Sequence, residues 1–113
     1  MVTAEAALAL PVLVLVLAGA VAGVAVLGAQ LRCVDAAREG VRAAARGEDP
    51  AAVIALVADT APDGADVRVD GPEADRVAVT VTARVSPLGA VPWSVGVGAS
   101  AVARPEPGLA GTP

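Results

Sequence analysis

Between Ala6 and Ala29 the chain reads AALALPVLVLVLAGAVAGVAVLGA, 24 residues without a charged or strongly polar side chain. A helix of about 20 apolar residues crosses a bilayer core, so this run is long enough to span with some tilt. It predicts a transmembrane helix over 6–29, preceded by a polar lead-in over 1–5 with Glu5 at its edge. An acid there suits the positive end of the helix dipole, and Thr3 or a neighbour is placed to cap the first turn. Pro11 removes one helical N–H and crowds the carbonyl of Ala7, which a membrane helix tolerates where nearby groups re-satisfy the backbone. Gly19 and Gly23, four apart, permit close approach of a second helix. The abundance of small residues in the run accounts for the same spacing without any packing role.

From Gln30 the pattern becomes amphipathic without a break. Cys33, Val34, Ala37, Val41, Ala44 and Ala45 share one helical arc, with Asp35, Arg38, Glu39, Arg42 and Arg46 opposite. Residues 30–46 therefore continue the first helix into one rod of about 40 residues and about 60 Å, with Gly47 as its C-cap. Asp35 and Glu39 are spaced to pair with Arg38 and Arg42; otherwise the arginines read as a solvated face. Asp49-Pro50 starts a short second helix over 51–59, with Val53, Ile54 and Val57 inward, ended by the turn Ala61-Pro62-Asp63-Gly64.

Then the period drops to two. Val67 and Val69, and Val77, Val79, Val81, Ala83 and Val85, alternate with polar or small residues around the turn material of 71–75, predicting an antiparallel hairpin with one buried face. Ser86 to Pro92 reads as a loop and Val95 to Ala103 as a third strand weakened by glycine. Trp93 is expected to plug the edge of the core, with a binding role as the alternative. Residues 47–104 form a small head domain, and 105–113, PEPGLAGTP, have the composition of a disordered tail. The fold class is α+β: a long N-terminal helix with membrane-spanning and amphipathic halves, a short second helix and a small three-stranded antiparallel sheet.

Composition narrows the chemistry. The 113 residues include no His, Phe or Tyr, one Trp and one Cys, and all eight basic residues are Arg. Zinc, haem and iron–sulfur centres lack their usual ligands, and a His-dependent triad is impossible. No cofactor, metal or enzymatic activity is expected. Asp63, Asp66, Asp70 and Asp75 lack EF-hand spacing and read as turn and exposed strand positions. A net charge of −4 argues against nucleic acid, which is met by a basic patch. Exclusive Arg usage in an Ala/Val-rich chain suggests a GC-rich genome. Cys33 reads as a small packed hydrophobe, with an intermolecular disulfide as the sharper alternative for an unpaired count. A secretory signal has a basic start and a shorter apolar core, so a retained anchor is expected over cleavage near residue 30.

Glu5 is the residue on which function turns. A carboxylate at a membrane edge is a functional candidate, against the simpler reading of a helix-start acid among headgroups. If helices pack with an axial stagger, each Glu5 could neutralise the N-terminal ammonium of the next chain. A slip in register would then leave both charges unpaired.

VTAEAALALPVLVLVLAGA resembles the N-terminal segment of type IV pilin-like proteins, most closely the TadE-like minor pilins or pseudopilins of tight-adherence (Flp pilus) systems, of actinobacterial type. The resemblance continues through Asp35-Ala36-Ala37-Arg38 and Ala43-Ala44-Ala45-Arg46-Gly47-Glu48, and loosely to residues 101–106. In that family a prepilin peptidase cuts after a Gly and leaves Glu as the fifth mature residue; Glu5 is also fifth here, whereas the usual following Phe is Ala6. The basic leader and cleavage Gly are not among these residues, which leaves processing open. Arg32, Arg38, Arg42 and Arg46 follow the span and, counted alone, put the C-terminal part inside the cell. The resemblance implies the reverse, an extracytoplasmic head on a single-pass anchor, and that topology is the one expected.

The resemblance further implies assembly with other pilin-like subunits and with an inner-membrane machinery including an ATPase, for secretion or adhesion, and extraction into a surface fibre. The competing expectation is a single-pass protein whose head binds a partner without forming a filament.

Overall fold

The computed structural model describes residues 2–71, 76–89 and 91–104. Its elements are α1 (Val2–Ala45), α2 (Pro50–Thr60), β1 (Asp66–Asp70), β2 (Val77–Val85) and β3 (Val95–Ala103). This is the α+β arrangement that the change in periodicity implies. α1 has 44 residues and passes through Pro11 without interruption, a length of about 66 Å at 1.5 Å per residue. It sets the shape of the molecule, 81 × 20 × 19 Å.

The ends of α1 and α2 follow from local chemistry. Gly47 has φ 86°, the left-handed conformation that glycine adopts without a Cβ clash. There its N–H donates to Ala44 and that of Glu48 to Ala43, at 3.0 and 3.3 Å, a Schellman closure of α1. Pro50 opens α2 with Asp49 at the N-cap, although the Asp49 side chain makes no capping bond. Thr3 caps nothing, because the helix already includes Val2.

The sheet has order β1-β2-β3, with both pairs antiparallel. Val67 faces Val81 and Val69 faces Val79, while Val79 and Val81 face Ala101 and Ala99. This register puts Val67, Val69, the odd-numbered residues of β2 and those of β3 on one face, as period-two side chains require, while Val102 lies on the other and is 57% exposed. Val77, Val79, Val81 and Ala83 are buried against Cys33, Ala36, Ala37, Val41 and Ala43 of α1 and Val53 and Val57 of α2.

The buried arc of α1 is wider than its hydropathy suggests. Ala36, Gly40 and Ala43 are buried beside Cys33, Ala37, Val41 and Ala45, while Val34 and Ala44 are half-buried, because the sheet and α2 flank the helix together. Ala22 and Ala29 are buried as well and Val26 packs on the core, so the head covers the last turns of the apolar run.

Three expectations need correction. Ile54 does not point inward: it is 41% exposed, since Val53 and Val57 already fill the narrow contact of α2 with α1. Trp93 does not plug the edge of the core: it is 47% exposed and stands against Leu15 to Val26 of α1, because the β2–β3 loop projects past the sheet. The predicted pairing of Asp35 and Glu39 with Arg38 and Arg42 is absent. The ion pair among the described residues is Arg46 Nη2–Glu48 Oε2 at 2.9 Å, and Glu39 accepts from Thr60 Oγ1 at 3.1 Å. Most of the predicted 71–75 turn and the tail of 105–113 lie outside the described residues.

Candidate functional site

From Thr3 to Leu17 every residue of α1 is exposed. Leu8 is 75% exposed, Leu15 72% and Leu13 63%, so the apolar surface runs around the whole helix. The core helix of a water-soluble protein would bury such side chains, each contributing about 1.5–3 kcal/mol when removed from water. This cylinder needs an apolar medium or apolar neighbours. Glu5 stands in its first turn, exposed and without an ion pair or hydrogen bond among the described residues.

Gly19 and Gly23 have open space where a Cβ would stand. They line a shallow groove of about 490 Å³ between α1 and the β2–β3 loop, with Leu15, Val26, Leu88 and Trp93. Here the structure places two small residues, noted for their spacing, beside the Trp that was expected at the edge of the core.

Two further side chains join the rod to the head, and a third braces the head itself. Gln30 takes both backbone groups of Gly98: its Nε2 donates to the Gly98 carbonyl at 2.7 Å and its Oε1 accepts from the Gly98 N–H at 3.0 Å. Since β3 is an edge strand, these groups face away from the ladder and would otherwise be free to pair with another chain. Arg32 Nη2 donates to the Ala61 carbonyl at 3.1 Å and its Nε to Thr60 at 3.4 Å, placing a cation at the negative end of α2. Arg84 donates from Nε and Nη2 to Ser94 Oγ at 3.2 and 3.0 Å, bracing the β2–β3 loop. A hydropathy pattern marks Gln30 and Arg32 only as polar; their partners are 68 and 29 residues away.

Cys33 is 0% exposed within the core. Burial pushes its thiol above the usual range, against a smaller opposite pull from the Arg32 charge. A disulfide to a second chain requires that packing to open. Among the described residues no group of three or more His, Cys, Asp or Glu side chains gathers as a metal site. No polar or charged side chain there is fully buried. What the fold presents is a surface: a bare apolar cylinder with an acid at its tip and a braced head at its other end.

Comparison with known proteins gives this surface a context. Residues 1–42 match the TadE-like protein family, a segment that contains Glu5, the cylinder, Gln30, Arg32 and Cys33. A Mycobacterium tuberculosis protein named as an apoptosis inhibitor is 41% identical over 104 residues, covering 92% of this chain and 78% of the relative. The chain belongs to the TadE-like family. The TadE-like match therefore covers the exposed part of α1 together with most of the part that builds the head. No solved structure matches the chain.

Proposed function

We propose that this TadE-like protein is a minor pilin or pseudopilin, a structural subunit of a tight-adherence type pilus or secretion system and not an enzyme. One observation carries the reading: a single unbroken helix has a fully exposed apolar first part and a second part that is the spine of a folded head. Ala22, Val26 and Ala29 pack with the head, so cleavage near residue 30 would strip away part of the packing. This favours a retained anchor over a discarded signal.

The subunit rests in the membrane as a single-pass protein with its head outside the cytoplasm, and assembly machinery extracts it into a fibre. Its partners are other pilin-like subunits, which offer apolar surface to the cylinder as lipid does. Glu5 sets their register, because an unpaired carboxylate among packed apolar helices is far costlier than one neutralised by a neighbouring chain's ammonium. Gly19 and Gly23 allow neighbouring backbones to approach.

Glu5→Ala tests the proposal in cells that produce the fibre. The variant is expected to insert into the membrane at wild-type levels and to vanish from the sheared surface fraction. Normal incorporation of Glu5→Ala would refute the role given to the acid. A wild-type protein that stays wholly in the membrane fraction would favour an anchored partner-binding head instead.

A further inference from the structure

We propose that the β2–β3 loop is a second membrane contact, seating Leu88, Val91 and Trp93 at the headgroup–acyl boundary of the leaflet nearest the head. The inference rests on reading the first part of α1 as a membrane span.

Length comes first. A hydrocarbon core is about 30 Å thick, or about 20 helical residues. If it begins just past Glu5, it ends near Ala25. The loop lies beside Leu15 to Val26, so the bilayer cannot take its full thickness of helix without meeting Leu88 and Trp93.

The loop is built for that boundary. No charged side chain occurs from Val85 to Ala103, and Val91 and Trp93 are both 47% exposed. Three of its backbone N–H groups find acceptors within the loop itself. Gly89 N–H donates to Ser86, Val91 N–H to Leu88 and Trp93 N–H to Val91, at 3.1, 3.5 and 2.7 Å. Pro87 and Pro92 have no N–H to satisfy. Closing these donors lowers the cost of taking irregular backbone toward the headgroup–acyl boundary.

The order of chemistry along the rod agrees. Trp93 lies against residues 15–26, whereas Arg32 and Arg84 border a second hollow beside Val24 to Ala29. The two levels are separated by about two helical turns. Trp enrichment at the membrane–water interface, with basic groups just beyond it at phosphate depth, is the layering expected of a head resting on a bilayer.

Trp93 is the only Trp, so its fluorescence reports the loop in the full wild-type chain. The protein is reconstituted at low protein-to-lipid ratio in phosphatidylcholine vesicles, and flotation checks the anchor separately. The expected result is blue-shifted emission, loss of most of it with lipids brominated near the headgroup, less loss with deeply brominated lipids, and weak quenching by aqueous iodide. Val91→Asp, a change at an exposed position, should raise iodide quenching severalfold while flotation persists. A protein that floats with Trp93 open to iodide would overturn the second contact and leave the anchor standing. Shielding that disappears as lipid is added at fixed protein would also overturn it, because a second copy would then be the cover. Failure to float would remove the anchor, and this inference with it.

Discussion

Gly40 shows how much of the head depends on one absent side chain. A Cβ there would collide with Cγ2 of Val57 and crowd Cγ1 of Val79 at 3.1 Å, so α1 lies close to α2 and β2 at the same point. Glycine inside a helix costs about 1 kcal/mol relative to alanine, and this close packing offsets it. Gly40→Ala should therefore destabilise the head despite its better helix propensity, by up to about 2 kcal/mol once overpacking is set against that gain. Thermal unfolding of the full chain in detergent, followed by circular dichroism, checks this; an unchanged or raised midpoint would contradict the packing. The position is invisible to a hydropathy pattern, because glycine adds nothing to an apolar arc. Ile54 and Trp93 show the opposite failure: each is apolar enough to suggest burial, yet the small core has no room for it.

Element boundaries were largely legible because each has a local cause. Alternation at Val77, Val79, Val81 and Ala83 marks a half-buried strand, Pro50 marks a helix start and Gly47 a helix end. The bonds between elements were not legible, since they join residues far apart in the chain. Gln30 is the clearest case. Removing it should free the edge of β3 without unfolding the head, because the core beneath is made by other residues. In Gln30→Ala the Gly98 amide is expected to exchange with solvent at least tenfold faster, the effect of losing about 1.4 kcal/mol of local protection, within the range of two neutral hydrogen bonds. Amide exchange in detergent micelles reads it directly. Unchanged exchange at Gly98 would mean that the clamp does not protect the edge.

At the scale of the molecule, one helix carries two kinds of surface. Its first part exposes Leu and Val on all sides, and its second buries small residues against a sheet whose own apolar side chains are mostly Val and Ala. A head of this size, without Phe or Tyr, is marginal by itself, and sharing α1 supplies one wall of its core. The apolar run was evident from the sequence; that the head reaches back over Ala22 was not, because a continuous apolar run looks the same whether lipid or protein covers it. A spin-label scan along α1 in vesicles, in a Cys33→Ala background, separates these covers most directly. We expect labels from Ala6 to Leu17 to be accessible to oxygen and shielded from a water-soluble nickel complex at every position. From about Ala22 onward accessibility should alternate with helical period. Free access of the nickel complex throughout residues 6–17 would contradict the membrane span.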